Sequence, residues 1–99
     1  MALMEICEFI SYNFDKDSTE EINTYIFQEN SDDEDIDKLV DAINKNLGDD
    51  IHDLQYMNVC AISLPSITFL YKNRTVEIHD CCDSRRNYYW NIRVMPVDN

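Results

Sequence analysis

Two acidic segments of the chain carry the oxygen ligands from which calcium sites are built. An EF-hand loop needs oxygen ligands at its positions 1, 3 and 5, a glycine at position 6 and a bidentate glutamate at position 12. Counted from Asp15, position 6 is Glu20 and position 12 is Ile26. Counted from Asp32, position 5 is already Ile36. Neither segment therefore predicts a calcium site.

The cysteines and histidines are the next candidates for chemistry. Structural zinc sites pair ligands at a spacing such as C-x₂₋₄-C, so that both reach one tetrahedral ion. His79, Cys81 and Cys82 lack this spacing, and the other candidates are scattered along the chain: Cys7, His52 and Cys60. A Cys–His nucleophilic pair needs only to meet in space, but nothing in the local sequence favours one pairing over another. Small thiols at a strand end are the simpler interpretation.

The carboxylates and the glycine count complete the survey of catalytic parts. Twenty acidic residues produce close carboxylate pairs by chance, so proximity alone does not indicate an acid–base site. A chain with one glycine cannot form a glycine-rich phosphate loop. We therefore expect no enzymatic activity, no cofactor and no bound metal.

One basic and aromatic segment runs from Arg85 to Trp90. Such a segment can supply phosphate contacts and stacking platforms for nucleic acid, but its two arginines belong to a chain of net charge −12. The favoured interpretation is a strand with Tyr88, Trp90, Ile92 and Val94 facing the core and Tyr89, Asn91 and Arg93 facing outward. A second interpretation makes Tyr89 or Arg93 an interface anchor, because Tyr and Arg are enriched in binding hot spots.

The negative charge is confined to the first half of the chain. Residues 1–55 hold 16 acidic and 3 basic residues, a net charge of −13, whereas residues 56–99 hold 4 acidic and 5 basic residues, a net charge of +1. Such a field repels nucleic acid and anionic membranes and accelerates encounters with basic proteins. We expect a basic protein partner, with no direct nucleic-acid binding and no membrane association.

Helical spacing dominates the first half. The apolar residues of 2–13 favour a first helix, although shared parity leaves a strand as an alternative. Asp17 or Ser18 is a candidate cap for a second helix over 19–28, which would bury Ile22, Tyr25 and Ile26. A third helix is predicted from the capping box Ser31–Glu34 to Gly48, with Gly48 in the left-handed conformation. Its buried stripe would be Ile36, Leu39, Val40, Ile43 and Leu47.

After residue 55 the pattern becomes that of strands. Segments 56–63, 67–72, 75–80 and 88–95 are rich in β-branched and aromatic residues. Lys72-Asn73-Arg74 predicts a hairpin turn, and Cys81–Asn87 a longer loop. The chain is therefore expected to be a single α+β domain over residues 1–99. Its N-terminal helices would pack on one face of a three- to four-stranded antiparallel sheet formed by the C-terminal half.

The third helix is predicted to present an acidic face. Asp33, Glu34, Asp37 and Asp41 lie opposite its apolar stripe, and the charge continues past Gly48 in Asp49, Asp50 and Asp53. Most acidic helix faces are simply solvated. Here basic residues that would form intrahelical pairs are scarce, and concentrating the charge has a cost in self-repulsion. These seven residues, with Tyr89 and Arg93, are the predicted partner-binding positions.

The chain opens without a basic segment, has no apolar run long enough for a membrane span, and lacks the cysteine spacing of a disulfide framework. A reducing, cytoplasmic location is expected.

In size, lopsided charge and the acidic segment 31–53, the sequence resembles small acidic immunity proteins of bacterial toxin systems. These neutralise colicin-type nucleases or the toxins of contact-dependent growth inhibition. The resemblance involves no family motif. It implies an inhibitor that neutralises a basic nuclease toxin, a DNase or tRNase, through an acidic helical surface. Two alternatives stay open: a phage-type nucleic-acid mimic that blocks a DNA- or RNA-binding defence protein, and a non-catalytic adaptor domain.

Overall fold

The computed structural model describes residues 2–13, 21–28, 36–57, 65–82, 84–85 and 87–96. In these ranges the chain forms two α-helices, one short 3₁₀ helix and five strands. In chain order they are α1 (Ala2–Asn13), β1 (Ile22–Phe27), α2 (Ile36–Leu47), the 3₁₀ helix (Gly48–Asp50), β2 (Ile51–Met57), β3 (Ser66–Tyr71), β4 (Arg74–Cys82) and β5 (Tyr88–Val94).

The five strands form one antiparallel sheet in the order β1-β5-β4-β3-β2. The α+β architecture is confirmed, as are the helix over residues 2–13 and the antiparallel pairing. The predicted count of three to four strands is wrong, because β1 and part of β2 come from the first half of the chain. The first strand of the chain, β1, pairs with the last strand, β5, so the sheet joins the two described strands that are furthest apart in the sequence.

Both helices cover the same face of the sheet. The central strands alternate buried and less buried residues, which is the pattern of a sheet with one covered face. α1 contacts β1 and α2, while α2 contacts β2 and β3. The predicted stripe of α2 is confirmed: Ile36, Leu39, Ile43 and Leu47 are buried and Val40 is half-buried. Burying each large aliphatic side chain contributes roughly 1.5–3 kcal/mol, so this stripe fixes the helix to the sheet.

The predicted second helix over 19–28 is wrong, since Ile22–Phe27 is the strand β1. Its residues pair in continuous register with β5, from Ile22 opposite Val94 to Phe27 opposite Tyr89. Ile22 and Ile26 are half-buried as expected, but Tyr25 is exposed. Strand alternation places Tyr25 on the opposite face from Ile22 and Ile26, whereas helical spacing had grouped all three.

The end of α2 also differs from expectation. Gly48 begins the 3₁₀ helix, and it does not have the positive φ of a left-handed cap. β2 then starts at Ile51, so the predicted strand 56–63 overlaps it only at residues 56–57. The register of β2 against β3 shifts between His52 and Gln55, and Asp53 in this shift has φ 56°. Residues 58–64 lie outside the described part of the chain, as does the capping box at Ser31 and Glu34.

The predicted turn between β3 and β4 is confirmed. Lys72 and Asn73 have φ values of 48° and 68°, the positive φ at both central residues that type I′ hairpins require. Arg74 belongs to β4 rather than to the turn, and Cys81 and Cys82 end that strand instead of starting a loop.

A buried arginine fixes the end of the sheet. Arg74 is 2% exposed, and its Nε donates to the carbonyl oxygen of Met95 at 2.8 Å. Burial lowers the pKa of Arg74 from its ordinary value. The backbone N–H of Met95 donates to the carbonyl of Thr75 at 2.9 Å, so two hydrogen bonds hold the chain after β5 against the start of β4. In the described residues neither helix has the length and apolar character needed to cross a membrane.

Candidate partner-binding surfaces

Five of the predicted acidic residues lie on three consecutive elements of the chain, and we call them the acidic surface. Asp37 and Asp41 are on α2, Asp49 and Asp50 are on the 3₁₀ helix, and Asp53 is on β2. All five side chains are exposed. Asp37 and Asp41 face solvent because the apolar stripe of α2 packs against the sheet and leaves the positions between its residues exposed. Asp49 and Asp50 follow in the short 3₁₀ helix, which leads directly into β2.

The acidic surface has little basic charge near it. Lys38 and Lys45 are on the same helix, and both are exposed. Within the part of the chain that the structure describes, none of the five carboxylates forms an ion pair. Asp33 and Glu34, the other two predicted acidic positions, lie outside the described residues. The surface is therefore a local excess of negative charge, available to a cation or a basic protein.

The uncovered face of the sheet carries a second candidate surface, which the sequence did not predict as a unit. Tyr25 and Phe27 on β1 are 57% and 67% exposed, and they flank the half-buried ring of Tyr89 on β5. The centroid of the Tyr89 ring lies 5.2 Å from that of Tyr25 and 6.2 Å from that of Phe27, both in edge-to-face geometry. We call these three residues the aromatic patch. Exposed aromatic rings of this kind are typical of contact sites.

The sequence did not predict Tyr25 and Phe27 as contact residues, because the helix predicted over 19–28 does not place them together on an exposed face. The alternation of Ile22, Thr24 and Ile26 with Asn23, Tyr25 and Phe27 was the signal that could have identified them. The facing of β5 was predicted correctly for Trp90, Ile92 and Val94, which are buried. Tyr88, expected in the core, is exposed at the start of the strand.

Arg93, a predicted contact residue, is engaged within the chain. Its Nη2 lies 2.7 Å from Oε1 of Glu21, its Nε donates to the same oxygen at 2.9 Å, and its Nη1 lies 3.6 Å from Oε2 of Glu77. The hydrogen bond and charge of Glu21 raise the pKa of Arg93 further. Next to this cluster, Asn91 donates to the side chain of Asn23 at 2.7 Å. This half of the uncovered face is polar and internally paired, and the aromatic patch lies beside it on the same two strands.

Cys7 and Cys81 lack the environment that activates a thiol as a nucleophile. Cys7 is buried between the helices, its thiol lies 3.7 Å from the carbonyl oxygen of Ala42, and burial followed by the charge of Glu8 raises its pKa to about 11. Burial also raises the pKa of Cys81, whose thiol contacts the carbonyl oxygen of His79 at 3.7 Å. A thiol held protonated is a poor nucleophile and a poor metal ligand. In the described residues no three His, Cys, Asp or Glu side chains converge as metal ligands.

A shallow groove runs between the two helices. Its volume is about 410 Å³, and it opens to solvent at the end of α2. The thiol of Cys7 lies at its base, and the amide of Asn46 bridges Met4 Sδ and the carbonyl oxygen of Ala42 at 3.7 and 2.8 Å. The groove is lined by Met4, Cys7, Glu8, Ser11, Tyr12, Asn46 and Leu47. It offers apolar contact and no assembled catalytic groups.

Comparison with known protein families, with curated proteins and with solved structures finds no match to this chain. The acidic surface and the aromatic patch are therefore the two candidate functional surfaces of the described chain.

Proposed function

We propose that this chain is an immunity-type inhibitor that binds and neutralises a basic partner, a nuclease toxin of the DNase or tRNase type. The proposed contact is the acidic surface, with Asp33 and Glu34 extending it along the sequence. The protein would act in the cytoplasm, without a cofactor.

The observation that carries this proposal is the exposed, unneutralised state of five carboxylates on three consecutive elements of the chain: Asp37, Asp41, Asp49, Asp50 and Asp53. Enzymes that cleave nucleic acid need basic clefts for the phosphate backbone. A negative surface raises the rate of encounter with such a cleft, and it suppresses binding to other acidic proteins. Lasting affinity then comes from a few desolvated contacts.

The charged residues of α2 are not the residues that pack it against the sheet. α2 is attached to the sheet through buried residues such as Leu39 and Ile43, whereas Asp37 and Asp41 project from the same helix into solvent. Charge at Asp37 and Asp41 can therefore be reversed without opening the core.

The test is charge reversal. The partner is first isolated by co-purification from the native source, and the association rate is then measured by stopped-flow or surface plasmon resonance. We expect Asp37→Lys with Asp41→Lys to lower the association rate on the order of tenfold, and added salt to lower the wild-type rate in the same direction. The matched control is Glu5→Lys with Glu8→Lys, which reverses two exposed charges on α1 and should have a much smaller effect.

Three results would count against this function. One is that no basic protein co-purifies and that reversing Asp33, Asp37 and Asp41 leaves the cellular effect of the protein intact. Competition with several unrelated nucleic-acid-binding proteins would instead support the nucleic-acid mimic. Partner binding that is insensitive to salt between about 50 and 500 mM would support the adaptor domain, since exposed charges are strongly screened over this range.

A further inference from the structure

The two edges of the sheet differ in how they are protected. Edge strands expose unpaired N–H and C=O groups, and proteins usually block them with charged residues, proline or bulges. β2 has such a block in its register shift and in Asp53 with φ 56°. β1 has none: Ile22–Phe27 contains no charged residue and no proline, and its register against β5 is continuous. In the described part of the chain, no strand pairs with the outer side of β1.

The hydrogen-bond pattern shows which groups of β1 face outward. Gln28 donates its backbone N–H to the carbonyl of Tyr88 at 3.0 Å, so position 28 bonds toward β5. Bonding direction alternates along an antiparallel strand, so Ile22, Thr24 and Ile26 also bond toward β5. The N–H and C=O groups of Asn23, Tyr25 and Phe27 therefore point away from the sheet.

We propose that β1 pairs antiparallel with β1 of a second copy of this chain, about a two-fold axis at Tyr25. Opposed residues in an antiparallel pair share a face of the sheet. Centring the axis at Tyr25 satisfies this condition and also uses every outward-pointing backbone group. Tyr25 then faces Tyr25 of the second copy, and Asn23 faces Phe27 of the second copy, with about six main-chain hydrogen bonds between the strands. This inference is independent of the proposed inhibitor function.

The aromatic patch favours the same arrangement. Tyr25 and Phe27 lie on the uncovered face with most of their area exposed. In the paired sheet the ring of Tyr25 meets the ring of Tyr25 of the second copy, and each Tyr25 keeps its edge-to-face contact with Tyr89 of its own copy. One copy leaves the patch open to water, and two copies form a continuous row of aromatic side chains.

Charge does not prevent this pairing, although each copy carries a net charge of −12. The acidic surface adjoins β2, at the opposite edge of the five-stranded sheet. Four strand spacings of about 4.8 Å separate the two edges, roughly 19 Å. This exceeds the Debye length of about 8 Å at physiological ionic strength. Because the β2 edge is blocked, two copies form a closed dimer and not a filament.

The contact is small, and this sets the expected strength. A fully exposed aromatic side chain offers roughly 150–250 Å², so Tyr25 and Phe27 together bury only a few hundred Å² per copy. Stable interfaces bury about 1,200–2,000 Å² in total. We therefore expect a reversible dimer with a dissociation constant on the order of tens of micromolar. Its affinity should rise with salt, because salt screens the like charge of the two copies.

Sedimentation velocity over about 5 to 500 µM, a range chosen around that affinity, tests the proposal. The wild-type protein should shift from monomer to dimer across the range. Tyr25→Lys and Tyr25→Glu should each weaken self-association tenfold or more, because like charges directly opposite each other destabilise paired strands. Mixing the two variants should restore a dimer, since Lys and Glu then face each other across the axis. Tyr56→Lys is the matched control: an exposed tyrosine on the other edge strand, expected to dimerise like the wild type.

Hydrogen exchange on the wild-type protein gives a second measurement that does not depend on any variant folding. The amides of Asn23, Tyr25 and Phe27 should become protected as concentration rises, while those of Thr24 and Ile26, already bonded to β5, should change little.

A wild-type protein that stays monomeric at about 500 µM overturns the proposal, as does self-association that Tyr25→Lys leaves unchanged. If the odd-numbered amides of β1 become protected only when a basic partner is added, the edge belongs to that partner and the pairing of two copies is wrong.

Discussion

Cys7 links the packing of the two helices to the pH dependence of stability. Its thiol is 3% exposed, and its pKa is raised from 9.0 to about 11, first by burial and then by the charge of Glu8. In the unfolded chain the thiol ionises near pH 9, while in the folded protein it stays protonated. The stabilisation that this provides is complete below pH 9 and is lost as the pH rises toward 11.

The magnitude follows from the two pKa values. Each unit of separation corresponds to about 1.4 kcal/mol, so the protein should lose about 1.4 kcal/mol by pH 10 and roughly 2 kcal/mol by pH 11 from this one group. For a domain whose total stability is about 5–15 kcal/mol, this is a measurable fraction.

The assay must separate Cys7 from the tyrosines and lysines that also ionise above pH 9. Urea denaturation of the wild type and of Cys7→Ala, followed by Trp90 fluorescence in the presence of a reductant, should be repeated between pH 7 and pH 11. The alanine variant loses packing at every pH, but it has no thiol to ionise. The difference in unfolding free energy between the two proteins should therefore be constant below pH 8 and should shrink by roughly 2 kcal/mol by pH 11.

A difference that stays constant to pH 11 would refute this reasoning, because it would mean that the thiol ionises equally in both states. An independent measurement is alkylation: Cys82, which is exposed, should react with iodoacetamide near pH 8, while Cys7 should be protected until the protein unfolds.

Two further predictions concern the fold. Leu39→Ala removes a fully buried side chain from α2 and should cost about 2–5 kcal/mol in urea denaturation, whereas Val40→Ala, at a half-buried position, should cost less. Equal losses for the two variants would contradict the assignment of the buried face. Lys72→Asn with Asn73→Gly should raise the free energy of unfolding by up to about 1 kcal/mol, because Asn and Gly tolerate the positive φ of the turn better than the native Lys and Asn. A fall in thermal stability would show that the turn does not have this geometry.

The elements that sequence alone predicted are those whose signals are local. α2 has its apolar stripe at helical spacing, and Trp90, Ile92 and Val94 alternate along β5 as a half-covered strand requires. The turn at Lys72 and Asn73 is indicated by Asn73, a residue type that tolerates positive φ, between two strand segments. In each case a window of about a dozen residues contains the information that determines the structure.

β1 could not be predicted in the same way because its conformation depends on a distant partner. Glu20 and Glu21 resemble the acidic first turn of a helix, and six residues are too few for periodicity to decide between helix and strand. Pairing with β5 selects the strand conformation. The two strands are far apart in the sequence: the side-chain hydrogen bond from Asn91 to Asn23 joins residues 68 positions apart. The sequence predicted the start of β2 too late, at residue 56 and not at Ile51. The register shift around Asp53 interrupts the alternation by which a strand is recognised.

Of the two candidate surfaces, one was predictable from local sequence and the other was not. Exposure of Asp37, Asp41, Asp49, Asp50 and Asp53 follows from an amphipathic helix and a polar connection, so the acidic surface was predictable. The aromatic patch was not, because Tyr25 and Tyr89 become neighbours only through the pairing of β1 with β5.

The position of β5 between β1 and β4 has a consequence for how the protein is made. On the ribosome, β1 emerges before β5, and β2, β3 and β4 are synthesised between the two. During that interval an uncharged, aromatic strand lacks the neighbour that pairs with it in the folded protein, a situation that favours aggregation. A chain that terminates before Tyr88 would retain β1 but would have no strand to connect it to β4. The pairing edge of β1 therefore stays accessible until translation has passed Val94.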